Sequence, residues 1–252
     1  MTTRQRIYRL EPDGPSGLAP MALDPAGFQV MPEAQNLHVY YADDDLGLSV
    51  GVWDTTTMQE AFGPYPGDEF IVVLDGGFTM LDGAGGGVPA TTGQSVIFRN
   101  GVPVSWKQKG YLRKFYITYL DPRAETPRID SAAGGIVALD PDRALTDAHR
   151  IEGTGPVQRE EVLFRNDTGN MEVGLWDTQA MRSGMEPFPW HEFAQILDGE
   201  VTITEADGTA HRFGPGDVFF VPAGTVCSWD VPRYLRKYYA LLHPPATPET
   251  RP

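Results

Sequence analysis

The feature that most constrains this chain is an internal repeat. Gly51-Val-Trp-Asp-Thr55 returns as Gly174-Leu-Trp-Asp-Thr178, an offset of 123 residues. Held without a gap, the same offset pairs Glu69-Phe70 with Glu192-Phe193 and Leu74-Asp-Gly76 with Leu197-Asp-Gly199. It also pairs Trp106 with Trp229 and Tyr111-Leu-Arg-Lys114 with Tyr234-Leu-Arg-Lys237. Over 51–76 and 93–122, 22 of 56 positions are identical, which identifies a duplicated structural unit. The lead-in Ala22-Leu-Asp-Pro25 returns as Ala138-Leu-Asp-Pro141 at an offset of 116, so the second lead-in is seven residues longer. Asp-Pro-Arg, Thr-Pro-Arg and Ala-Ala-Gly-Gly cluster at 121–135, which divides the chain into domains 1–125 and 126–252.

Each copy reads as short strands joined by turns. In the second, Glu192–Leu197 is closed by Asp198-Gly199 and Glu200–Thr204 by Ala206-Asp-Gly208, both hairpin signals. Val218–Val221 stops at Pro222-Ala-Gly224, and Cys227–Val231 and Arg236–Leu242 read as two further strands. No stretch of the repeat carries a helical period. The 28 Gly and 22 Pro spread along the chain suit many tight turns. The expectation is an all-β sandwich or barrel in each copy, with each copy covering sheet edges of the other. The repeated Trp-Asp-Thr reads as the start of a strand or a packing corner.

A net charge of −14 argues against a phosphate-backbone partner and against an anionic membrane surface. The single cysteine, Cys227, allows no internal disulfide. Without an apolar leader or a long apolar run, a cytoplasmic location is expected. The partners expected are a small-molecule ligand, with neither nucleic acid nor membrane, and a homodimer is an open assembly.

Gly216, five residues, then Pro222-Ala-Gly224 resembles the second motif of the cupins, and Glu192, seven residues before Gly199, resembles the glutamate of the first. Trp229 and Arg236-Lys-Tyr-Tyr239 make the pattern similar to the subgroup that joins the C-terminal part of ureidoglycine aminohydrolase with the ethanolamine-utilisation cupin. The resemblance covers roughly 46–120 and 169–243. It implies two tandem cupin barrels (double-stranded β-helix, jelly roll), with a ureido, amino or carboxylate compound as ligand.

The metal-binding pattern of that family is His-x-His, then Glu, then a later His. Here the early positions fall at Met185/Pro187 or Glu186/Phe188 and the late one at Cys227; in the first copy they fall at Ala61 or Phe62, Gly63 to Tyr65, and Val104. Only Glu69 and Glu192 remain. One carboxylate, even with a thiol, is a poor site for a divalent ion, so no cofactor is expected. The alternative is Mn, Zn or Fe in the second copy on Glu186, His191, Glu192 and Cys227. His191 and Glu192 are adjacent on a strand and point to opposite faces, so that set would need an irregular backbone.

The remaining chemistry lies in a recurring acid and base. Lys114 and Lys237 are the natural partners of Glu69 and Glu192, as a structural pair or as acid and base. Glu192, Lys237 and Cys227 are the candidate catalytic groups. Glu69, Trp106, Lys114, Tyr65, Phe188, Trp229 and Tyr239 are the candidate ligand-binding groups. Cys227 shares a strand face with Trp229 and reads most simply as a small buried hydrophobe. Two functions compete: a small-molecule binder or aminohydrolase-like enzyme related to ureidoglycine aminohydrolase, as the resemblance implies, and a non-catalytic, metal-free cupin serving as a binding or structural module.

Overall fold

The computed structural model describes residues 5–153 and 155–243. Among them the architecture is antiparallel β throughout, with helix confined to the 3-10 turns Pro25–Gly27 and Asp147–His149. No helix is long and apolar enough to cross a membrane.

Contacts divide the described residues into two compact units, one of residues 10–142 and one of residues 5–9 with 143–243. The sequence placed the division at 125/126 with the lead-in in the first half. Strand pairing explains the difference. In the first unit Ile136–Ala138 is hydrogen-bonded to Ser95–Phe98, so the linker belongs there. In the second unit the equivalent of that strand, Val218–Val221, takes Tyr8–Leu10 as its neighbour. The segment ahead of each copy thus completes the sheet built mainly from the other.

The first unit has two sheets. One runs Ile136–Ala138, Ser95–Phe98, Asp68–Asp75, Leu112–Tyr119, Leu48–Thr55, Gln35–Asp43 and Ala19–Pro20. The other is built around Gly77–Asp82, Pro103–Gln108 and Met58–Glu60. Ile71, Val73 and Phe98 from the first sheet pack against Phe78, Met80 and Trp106 from the second. The central strand Asp68–Asp75 is buried on both faces over its first six residues, and from Phe70 to Val73 it is wholly apolar.

The second unit uses the same strands with two fusions. Met171–Arg182 spans what Leu48–Thr55 and Met58–Glu60 cover in the first, and Val226–Leu242 spans what Pro103–Gln108 and Leu112–Tyr119 cover. Cys227–Val231 and Arg236–Leu242 are therefore one strand, where the sequence suggested two. Gly110, at φ +86°, breaks the chain in the first copy; Arg233 stands in its place in the second.

Two pairs of repeated glycines have steric causes. Gly76 and Gly199 turn the Asp-Gly hairpins at φ +77° and +78°. A Cβ there would stand 2.1 Å from the Tyr111 carbonyl oxygen and 2.0 Å from that of Tyr234. Gly51 and Gly174 lie under tyrosines, where a Cβ would come within 2.6 Å of the Tyr116 hydroxyl and 2.4 Å of the Tyr239 hydroxyl. The Trp-Asp-Thr that follows ends the strand Leu48–Thr55 in the first copy and lies inside Met171–Arg182 in the second, which corrects its reading as the start of a strand or a corner. Its aspartates are anchors. Asp54 accepts from Tyr111 at 2.9 Å and Asn36 at 2.7 Å, and Asp177 accepts from Arg159 at 2.8 Å and Tyr234 at 3.1 Å.

The N-terminal strand is a structural part of the second unit. Ile7, 4% exposed, packs in the cluster of Phe213, Phe219 and Trp229, and Arg9 reaches Asp217 at 2.6 Å. Ile7→Ala should cost about 2–4 kcal/mol in chemical unfolding, with the loss seen in the second unit although the residue lies ahead of the first copy. A change below about 0.5 kcal/mol would contradict this packing.

Candidate functional site

In each unit the repeated glutamate and lysine meet across adjacent antiparallel strands. Lys114 Nζ lies 2.7 Å from Glu69 Oε1, and Lys237 Nζ donates to Glu192 Oε1. All four residues are at least nine-tenths buried. Two indoles flank each ammonium: Trp53 and Trp106 at 5.1 and 4.8 Å from Lys114, Trp176 and Trp229 at 5.0 and 4.7 Å from Lys237. Taking such charges from water is costly, and a partner in contact plus the electron-rich ring faces offsets that cost. The expected Glu–Lys pair forms in both copies.

The surroundings of the pairs differ. In the first unit Tyr65 donates its hydroxyl to Glu69 Oε2 and packs its ring 4.8 Å from Phe98. Trp106 stacks on Phe78 at 3.8 Å and donates Nε1 to Gln108 at 2.9 Å. A cavity of about 640 Å³ in that unit lies elsewhere, between Phe62, Asp82 and the 129–136 segment, and its lining includes none of Glu69, Lys114 and Trp106. In the second unit the equivalents of Tyr65, Phe78 and Gln108 are Phe188, Val201 and Val231. A cavity of about 760 Å³ opens there over Glu192 and Lys237.

That cavity brings together Glu192, Lys237, Cys227, Phe188, Trp229 and Tyr239 of the sequence candidates. Tyr65, Glu69, Trp106 and Lys114 instead form a buried cluster in the first unit. Sequence reasoning missed Trp176 and Trp190, which wall the second cavity, and the charged rim of Glu160, Glu172, Arg165 and His243. Trp176 was within reach, since it repeats Trp53. The rim residues repeat nothing and left no signal.

The fold has solved counterparts. A protein of unknown function from Pseudomonas syringae pv. tomato str. DC3000 is similar with a TM-score of 0.71 at 22% identity, over 94% of this chain and 100% of that one. Protein Ylba from E. coli matches with a TM-score of 0.55 at 14% identity, over 94% and 91% of the two chains. HEPD from Streptomyces albus, solved with 2-hydroxyethylphosphonate and Fe(II), matches with a TM-score of 0.56 at 12% identity, over 97% and 77%. No curated protein sequence matches this chain. Residues 165–239 match the model of the EutQ-like cupin domain. The fold is a cupin fold. Identities this low carry no more than architecture.

Cupin folds can hold a metal, as the Fe(II) in HEPD illustrates. The donors here do not fit one. Glu186 and Cys227 are register partners on neighbouring strands, and Glu192 shares their cavity. His191, however, is outside that lining: its Nδ1 accepts from the Ala223 amide at 3.3 Å and its ring lies parallel to Phe220. Among the described residues no three His, Cys, Asp or Glu side chains converge as a metal-holding group.

Burial sets the electrostatics of the cupin cavity. It pushes the Cys227 thiol up to about 11, against a smaller downward pull from Trp229. Burial, then the nearby Glu160 carboxylate, pushes the Tyr239 phenol well above its ordinary range. Burial also works to raise Glu172, but Arg165 and His243 hold it below the usual carboxylate range. In the first unit, burial pushes Glu60 up to about 7, with Glu69 adding to the rise and Lys114 opposing it.

Two outcomes follow from these values. With its folded value near 11 against an ordinary 9.0, Cys227 should hold about a hundredfold less thiolate than an exposed cysteine and react correspondingly slowly with a disulfide reagent at pH 8. Reaction at the rate of the unfolded chain would contradict this. Glu60, raised in the folded state to about 7 from 4.5, favours folding below pH 4.5 and loses that contribution as pH rises through 7. Glu60→Gln should therefore be more stable than the parent above pH 7 by about 1–3 kcal/mol, with the gap closing toward pH 4.5. A gap independent of pH would show that the carboxyl does not titrate as described.

Proposed function

We propose that each unit is one cupin barrel, and that the second binds a small polar molecule of the ureido, amino or carboxylate class over the Glu192–Lys237 pair without a metal ion. The first serves as its closed structural counterpart. The observation that carries this reading is the contrast between the copies: the same buried ion pair between the same two indoles is open to a cavity in one and capped by a tyrosine in the other. A cavity of about 760 Å³ is the size of a small-ligand site. Lys237 can meet a carboxylate or ureido oxygen, Glu192 and the rim carboxylates can meet N–H groups, and Trp190, Trp229 and Phe188 supply apolar walls. The reading stops at binding. The Cys227 thiol, held near 11, is neutral at pH 7 and supplies no thiolate to a ligand.

The test is thermal denaturation with N-carbamoyl amino acids, free amino acids and dicarboxylates. At least one class should raise the melting temperature, with stabilisation growing as the logarithm of concentration above the dissociation constant. Lys237→Met leaves Glu192 buried and alone, at a cost of about 3–5 kcal/mol. The double variant Glu192→Gln/Lys237→Met avoids that cost and should fold yet lose the ligand shift. No shift with any class, or an undiminished shift in the double variant, would refute the site.

A further inference from the structure

Resting on this binding role, we infer that the ligand of the second unit donates a neutral O–H or N–H hydrogen to Glu192 Oε2, in the place that the Tyr65 hydroxyl takes on Glu69 in the first unit. The chain carries its own template for the bound state. In both copies one carboxylate oxygen is held by the lysine. In the first, the other oxygen accepts from Tyr65. In the second, Glu192 Oε2 accepts from no described residue, although its side chain is only 5% exposed and lines the cavity. A ligand that places an O–H or N–H on this oxygen makes a charge-assisted hydrogen bond, about twice as strong as a neutral one.

The place itself is the same in both copies. Tyr65 N–H donates to the Val102 carbonyl at 2.8 Å, and Phe188 N–H to the Thr225 carbonyl at 2.9 Å. The Tyr65 carbonyl accepts from Gly101 at 2.8 Å, and that of Phe188 from Gly224 at 2.7 Å. The backbone at this point is pinned identically, and what the second copy lacks is the hydroxyl. Its ring lies instead parallel to Trp229 at 5.8 Å, which leaves the carboxylate facing open space. The charge already present limits the donor. Lys237 satisfies the carboxylate's charge, so a neutral hydroxyl or amide-type hydrogen on a flat or apolar body matches what Tyr65 presents.

The probe is p-cresol, the tyrosine side chain as a free molecule, with toluene as the same body lacking the hydroxyl. Titrations of the full chain, read by tryptophan fluorescence and thermal shift, should show saturable p-cresol binding at least tenfold tighter than toluene. Phe188→Tyr should supply the hydroxyl in place, keep or raise the melting temperature, and weaken p-cresol at least tenfold. Glu192→Gln/Lys237→Met should abolish the preference for p-cresol over toluene. Equal binding of p-cresol and toluene, or unchanged p-cresol binding by Phe188→Tyr, overturns the inference. If the polar panel binds through Glu192 and Lys237 while Phe188→Tyr leaves it unaffected, the binding role stands and this inference falls. If neither the panel nor p-cresol binds, both fall.

Discussion

Everything in the two copies is arranged around a buried carboxylate–ammonium contact held between two indoles. Such a pair survives burial only if both charges keep their partner and their remaining faces are well covered. That requirement accounts for the residues that recur. The glutamate sits on a central strand, the lysine comes from the strand beside it, one tryptophan follows the repeated glycine, and the other comes from the far side of the core. The glycine makes room for the tyrosine two residues beyond the lysine. The aspartate after the tryptophan ties down the tyrosine or arginine that flanks the lysine strand. Removing any one of these loosens the enclosure of two charges.

What differs between the copies is how the enclosure is finished. In the first, Tyr65, Phe78 and Gln108 fill it with protein atoms and satisfy the second carboxylate oxygen and the indole N–H. In the second, Phe188, Val201 and Val231 occupy those positions, and of the three Phe188 borders the cavity over Glu192. The difference that bears on the carboxylate is one hydroxyl, present on Tyr65 and absent from Phe188. Each copy is thus a natural control for the other.

Much of this was legible in the sequence, because the repeat made equivalent positions visible. The all-β fold, the pairing of Glu69 with Lys114 and Glu192 with Lys237, the opposite facing of His191 and Glu192, and the common face of Cys227 and Trp229 all follow from identity at a fixed offset and from strand alternation. The same procedure was blind to whatever does not repeat. Glu160, Glu172, Arg165 and His243 ring the cavity, but nothing in the first copy corresponds to them as a set. Trp-Asp-Thr was read by its turn-forming residues, whereas Asp54 and Asp177 are held by long-range hydrogen bonds that stabilise extended backbone. The division of the chain was sought where Pro and Gly cluster, yet Ile136–Ala138 lies beyond that cluster and is held by a sheet. Pairing between strands so distant in sequence has no local signature.

The exchange of leading strands has a consequence for the order of folding. Tyr8–Leu10 and its neighbour Val218–Val221 stand on either side of the whole first copy in the chain. Closing so large a loop is entropically modest but kinetically late. The sheet around Glu192 therefore gains this edge late, after the local hairpins of both copies have formed.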